Sequence, residues 1–138
     1  MTDPIDEAIA RARSERAHGR LLEARDDYAR AVALARSAGD DTALAFTLRH
    51  LGDVSLKTGA LAAAAAAAEE AVSICRRLPG DLDLANALRI AALAAGQMGQ
   101  PGDAADKWRE ARDLYARAGV ADGVVECDAH IGAASATP

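Results

Sequence analysis

Apolar positions in the middle of the chain fall three and four residues apart. From Leu61 the series runs Leu61, Ala64, Ala65, Ala68, Ala71, Val72, Cys75 and Leu78, which places all eight on one stripe of an α-helix. The seven consecutive alanines from Ala62 to Ala68 lie inside that series. Alanine is the strongest intrinsic helix former, so the run predicts a closely packing helix rather than low-complexity filler. It ends at Glu69 and Glu70, far short of the roughly 20 apolar residues that a membrane span needs.

The same pattern returns at a fixed interval of forty residues. Gly19, Gly59 and Gly99 share it, as do Ala24, Ala64 and Ala104, then Ala31, Ala71 and Ala111, then Leu34, Ile74 and Leu114. A strict period of this length is the signature of a stacked helical repeat. The units cover about 3–40, 41–80 and 81–120, and each reads as two helices with the second starting just after the glycine. In the middle unit the first helix turns Leu44, Leu48, Leu51 and Val54 inward; in the third it runs through "LANALRIAALAAGQM". Gly52, matched by Ala12 and Ala92, is small where another helix crosses. Asp3 can cap a helix with Pro4 at its first position, and Asp41 and Asp81 occupy matching starts. Gly39 and Gly119 suit left-handed helix ends, and Pro79 stands in their column as a stop. Ala68 falls in the column of Tyr28 and Trp108. The missing volume there calls for a neighbouring side chain, with Phe46 the candidate, or for closer helix approach. Residues from about 121 to 134 form one more helix, with Val124, Val125 and Ile131 as its apolar content, capping the last unit as end repeats require. The tail from about Ser135 is expected to fray.

Composition agrees with this picture. The chain is 51% hydrophobic but only 3% aromatic, so the core is built from Ala, Leu and Val, each contributing little area at about 0.8 kcal/mol per buried methylene. A net charge of −5 argues against nucleic acid, whose binding rewards clustered cations. Lysine occurs only at Lys57 and Lys107 while arginine and alanine abound, as in proteins of GC-rich bacterial genomes. Cys75 and Cys127 form no spaced motif and are expected to be reduced, packed thiols. "MTDPIDEAIA" lacks a basic start followed by an apolar run, so no signal peptide and a cytoplasmic setting are expected.

No catalytic constellation emerges, and a non-enzymatic protein without cofactor is expected. His18, His50 and His130 form no HExxH pair. Cys127 and His130 can share a helix face, but a structural zinc site takes four ligands, so no metal site is expected. "GQMGQPGD" lacks the Lys-Ser/Thr of a phosphate loop and reads as a turn. Charge pairs such as Asp26–Arg30 and Asp113–Arg117 suit a solvated helix face, at a few tenths of a kcal/mol each.

Over nearly its whole length the chain resembles the tetratricopeptide repeat (TPR) family in its longer-helix, 40-residue form. The residues that carry the resemblance are Leu48, Leu51–Gly52, Gly59, Ala64, Ala68 and Ala71 in the middle unit. The third unit offers Leu88, Ala91, Ala92, Gly99, Ala104, Trp108 and Ala111, and the first Ala8, Arg11, Ala12, Gly19, Ala24, Tyr28 and Ala31. Arg11 departs from the usual leucine, making the first helix a solvated edge. The resemblance implies an all-α, right-handed α-solenoid of three helix-turn-helix repeats plus a C-terminal capping helix. It also implies a concave groove, lined by the first helix of each pair, that holds a peptide or protein segment. The groove positions are Phe46, Arg49, His50 and Asp53, then Asn86, Arg89, Ile90 and Leu93, with Ile9 and Arg13 extending the same face. Arg49 and Arg89, one repeat apart, suit a carboxylate on the partner, or else form a solvated, salt-bridged surface pair. Some family members grip a C-terminal carboxylate with a fixed set of Lys, Asn and Arg; Asp53 and Ile90 depart from that set. The expected function is a protein-interaction module whose output is carried by another molecule. A regulatory sensor for a short peptide or small ligand, and a self-assembling scaffold, are the alternatives.

Overall fold

Several of the predicted helix starts and stops have a local cause in the computed structural model, which describes residues 2–136, with side chains through Ala133. Helix α1 (Pro4–Ala17) opens on Asp3, whose carboxylate accepts from the Ile5 amide at 2.7 Å, with Pro4 at the first helical position. Helix α2 covers Leu21–Ala38, α3 Asp41–Lys57, α4 Leu61–Cys75, α5 Asp81–Gln97, α6 Pro101–Ala118 and α7 Ala121–Ala136. Asp40, rather than Asp41, caps α3 by accepting from the Ala43 amide. Gly39 and Gly119 end α2 and α6 in the left-handed conformation. Helix α4 stops at Cys75, ahead of Pro79. Helix α7 passes through Ser135; the fraying expected of the final residues lies outside the described residues.

The forty-residue period is written into the backbone. Each tight turn within a helix pair has its glycine at positive φ: 75° at Gly19, 81° at Gly59 and 75° at Gly99. After each glycine the next amide reaches back to an earlier carbonyl, Arg20 to Glu15 at 2.8 Å, Ala60 to Ser55 at 2.9 Å and Gln100 to Ala95 at 2.9 Å. This satisfies carbonyls that the helix end would leave orphaned. Every helix packs on the next, and α3 also meets α5. The helices therefore form the pairs α1–α2, α3–α4 and α5–α6, with α7 laid against α6.

The alanine stripe does what its spacing predicts. Ala64, Ala68 and Ala71 are fully buried, together with Val72, Ile74 and Cys75. The volume missing at Ala68 is taken up by close approach, not by Phe46. A Cβ placed on Gly52 would stand 3.4 Å from the Ala64 carbonyl, 3.6 Å from the Ala68 amide and 3.2 Å from the Ile90 side chain. Phe46 lies elsewhere, half-buried against His50, Arg13 and Arg49.

Ion pairs between the helix pairs repeat as well. Arg36 grips Glu70 with two hydrogen bonds of 2.7 and 3.0 Å, and forty residues on Arg76 grips Glu110 at 2.6 and 2.9 Å. Arg77–Asp41 and Arg117–Asp81 form a second such pair. Arg117 thus crosses to α5 instead of pairing with Asp113, and among the described residues Asp26 and Arg30 form no bridge. At the C-terminal end, Asp128 replaces the column of Ala8, Leu48 and Leu88, which are 2%, 3% and 1% exposed. It points to solvent and accepts from Arg112 at 2.5 Å. A charged side chain where internal repeats bury an apolar one is what a terminal helix needs.

Candidate functional site

Helices α1, α3 and α5 carry all ten candidate groove residues, and the structure divides them into three groups. Ile90 is 3% exposed and packs onto Gly52, so it belongs to the contact between α3 and α5 and not to an open surface. Leu93 packs partly buried against the core. Asn86 accepts from the buried Tyr115 hydroxyl at 2.7 Å, and Asp53 is held by Arg16 and by Lys57.

A second group clusters around one aromatic ring. Phe46 and His50, one turn apart on α3, bring their rings to 4.4 Å, and His50 stacks on Tyr28 at 5.5 Å. The guanidinium carbons of Arg13 and Arg49 each lie 5.6 Å from the Phe46 ring centre, a favourable cation–π distance. Burial, with Arg49 and Arg16 nearby, lowers the His50 pKa from 6.5 to about 4, so its imidazole is neutral at pH 7. Ile9 joins Arg13 and Phe46 along the first step of the surface.

Arg49 and Arg89 form the third group, and their surroundings differ. Arg89 donates from Nε to Glu126 at 2.5 Å and from an Nη to the same carboxylate at 2.9 Å. That forked pair raises the Arg89 pKa and lowers that of Glu126. Arg49 has no hydrogen bond or ion pair among the described residues. The repeat explains why. Glu126 lies thirty-seven residues beyond Arg89; the residue thirty-seven beyond Arg49 is Asn86. Half-buried and unpaired, Arg49 pays a desolvation penalty that lowers its pKa, offset in part by the field of Asp83.

Beside Arg49 lies a cavity of about 270 Å³ lined by Thr42, Ala45, Phe46, Cys75, Leu78, Pro79 and Asp83. Sequence reading found Phe46 and Arg49 but missed the wall from the α4–α5 turn. The forty-residue register contains the missing signal: Cys75 stands where the next unit has Tyr115, and Asp83 where it has Gly123. In that next step the Tyr115 ring lies on Gly123 so closely that a Cβ there would come within 2.5 Å of it. Burial pushes the Tyr115 hydroxyl up to about 12, and burial raises the thiols of Cys75 and Cys127. Neither thiol is a ready nucleophile. Among the described residues no three of His, Cys, Asp and Glu converge as metal ligands, and no helix is long and apolar enough to cross a membrane.

No family model matches the sequence, and no curated protein matches it. Solved structures do. The TPR-like repeats of a kinesin light chain protein from Podosopora anserina superpose with a TM-score of 0.74 over 97% of this chain and 72% of that one, at 15% identity. The fold is that of a tetratricopeptide-type repeat. The N-terminal domain of stress-induced protein-1 from C. elegans gives a TM-score of 0.68 at 16% identity, over 94% of this chain and 98% of its own. BtubC from P. vanneervenii gives 0.64 at 16% identity, over 99% of this chain and 66% of its own. The TPR-type architecture is therefore shared at 15–16% sequence identity.

Proposed function

We propose that this TPR-type chain is a non-enzymatic protein-interaction module that receives a peptide or protein segment along the surface of α1, α3 and α5. The observation that carries this reading is Arg49: a half-buried guanidinium with no acceptor among the described residues, set beside the partly exposed Phe46 ring and the apolar wall of Ala45 and Leu78. A partner carboxylate next to an apolar side chain would supply the forked acceptor that Arg89 already finds in Glu126. Arg89 itself serves as an internal clamp for α7 in this reading and not as half of a ligand-binding pair. The module acts as one domain of three repeats and a cap, in the cytoplasm of a bacterium, without nucleic acid or membrane as partner.

The test is an array of immobilised peptides in which acidic residues adjoin Leu, Met or Phe, probed with wild type and with Arg49→Gln. Binding lost in the variant and kept in Arg89→Gln supports the reading; equal binding by all three moves the site off this face. The sensor alternative is favoured by the cavity beside Arg49, whose size suits a small ligand. Self-assembly remains a separate outcome, read as a mass that rises with concentration in light scattering.

A further inference from the structure

Three surface depressions recur at the same register along the helices, and they are filled differently. At the first step Phe46 overhangs Ile9 and Arg13. At the third, Tyr115 lies on Gly123 and Arg89 is closed by Glu126; what remains is a wide depression among Leu82, Asn86, Val120 and Asp122. At the middle step the tyrosine is replaced by Cys75 and the glutamate by Asn86, and a cavity remains. Its wall is mostly apolar, through Ala45, Phe46, Leu78 and Pro79, and it holds one cation and one anion, Arg49 and Asp83. Neither makes a hydrogen bond or an ion pair among the described residues, with the other or with any third group. Asp83 leans instead over Gly80, its Oδ2 3.8 Å from where a glycine Cβ would stand.

Two opposite charges that share an apolar cavity without closing on one another select a ligand that carries both signs. We propose that the cavity between α3 and the α4–α5 turn binds a free α-amino acid with an apolar side chain. Its carboxylate meets Arg49, its ammonium meets Asp83, and its side chain lies against Phe46, Leu78 and Pro79. The volume of about 270 Å³ lies just under the roughly 300–1,000 Å³ of pockets for drug-sized molecules, the scale of a single residue and not of a cofactor. The half-buried Arg49 guanidinium is costly until it is matched, so the zwitterion's carboxylate supplies what the sequence omits at Asn86, while Asp83, exposed in the first turn of α5, offers its carboxylate to the ammonium. This inference goes beyond the peptide-binding reading and does not rest on it. The two share Arg49, so an amino acid in the cavity would compete with a peptide carboxylate.

The test is calorimetric titration, with thermal shift in parallel, of the full chain with L-leucine, L-methionine and L-phenylalanine. The blocked compounds N-acetyl-L-leucine and L-leucine methyl ester serve as controls. Saturable binding of at least one free amino acid at millimolar concentration is expected, weakened tenfold or more by either blocking group. Arg49→Gln and Asp83→Asn should each weaken it by a similar factor, while Arg89→Gln leaves it unchanged. If Arg49→Gln unfolds, Asn86→Glu substitutes for it: an internal carboxylate on Arg49 should abolish binding in a folded protein. No saturable binding by wild type overturns the proposal, whatever the peptide array reports. So does N-acetyl-L-leucine binding as tightly as leucine, which would make the ligand a plain carboxylate or a peptide C-terminus.

Discussion

The step from α3 to α5 and the step from α5 to α7 are built on one register, yet one leaves its arginine open beside a cavity and the other seals its arginine with a carboxylate. Both place an arginine at the same column, Arg49 and Arg89. The sealed step provides Glu126 as its acceptor and lays Tyr115 on the bare backbone of Gly123. The open step has Asn86, Cys75 and Asp83 at the three matching positions. The difference teaches how one register keeps its architecture while the chemistry of each step varies. The small residues that let helices approach, Gly52, Ala64, Ala68 and Ala92, keep the stack in register and stay buried. Three substitutions outside that set decide whether the arginine of a step is paired within the array or left unpaired beside a cavity.

The largest effect is expected from forcing the open step to copy the sealed one. Cys75 is 5% exposed, and tyrosine in its place meets a Cβ at Asp83 where Tyr115 meets none. Cys75→Tyr is expected to destabilise the protein by about 1–3 kcal/mol, the usual cost of overpacking. Adding Asp83→Gly should recover much of that loss, a coupling between neighbours that a double-mutant cycle in urea reads directly. If the two changes simply add, the steps are not equivalent and the comparison breaks.

A smaller effect is expected from unsealing the closed step. Arg89 and Glu126 are each about one-third exposed, at 36% and 34%, so their pair is worth less than a buried one and Glu126→Gln should cost about 1 kcal/mol. The loss should be local. Helix α7 stacks His130 on Trp108, with ring centres 4.0 Å apart, and Trp108 is the only tryptophan. Weakened docking of α7 should therefore change Trp108 emission and speed amide exchange in α7 before α3 responds. Simultaneous loosening of both helices would show that the cap and the middle of the array unfold as one unit.

The proton dependence of stability sharpens the same contrast. His50, on the open side, has a folded pKa of about 4 against 6.5. The unfolded chain therefore takes up a proton there before the folded protein does. Its contribution is fully present above about pH 6.5 and is lost as pH falls toward 4. Glu126 on the sealed side, and Glu70 and Glu110 on the ion-pair ladder, have pKa values lowered by their arginines. Their contribution is intact above the ordinary carboxylate range, near 4.5, and disappears only below it. His50→Gln should flatten the melting temperature between pH 6.5 and 4.5 and leave the fall below that range. A profile unchanged by the substitution would mean that His50 is not desolvated by Tyr28 and Phe46.

The fold was legible in the sequence because its determinants are local and periodic. Glycines at positive φ, an Asp-Pro cap and an alanine stripe each state their own geometry, and the forty-residue interval aligns them. The candidate site was only partly legible. Phe46 and Arg49 follow from their place on α3, but a single-helix reading also put Ile90 in the groove. It is buried because Gly52 opposite lets α5 come close. Arg89 reads as a ligand-binding partner of Arg49 until Glu126 is seen to hold it from another helix. The far wall of the cavity, Cys75, Leu78, Pro79 and Asp83, depends on how the α4–α5 turn folds back over α3, and residue spacing within one helix does not encode that.

The turns provide the test in which the two steps should behave alike. Gly59 closes the pair that opens onto the cavity, and Gly99 the pair that carries the sealed step. Their φ values are 81° and 75°, and a Cβ on either would meet nothing within 4 Å. With no steric neighbour, the whole cost of a side chain is the left-handed backbone itself, about 1–2 kcal/mol for an L-residue. Gly59→Ala and Gly99→Ala should each destabilise by about that amount, and in the double variant the two losses should add within about 0.5 kcal/mol, the usual scatter for independent sites. Equal losses confine the difference between the steps to positions 75, 83 and 86 and their counterparts one repeat on. A markedly larger loss at Gly59 would mean that the open step depends on its turn for rigidity, and that the cavity, not only its lining, is held in shape from there.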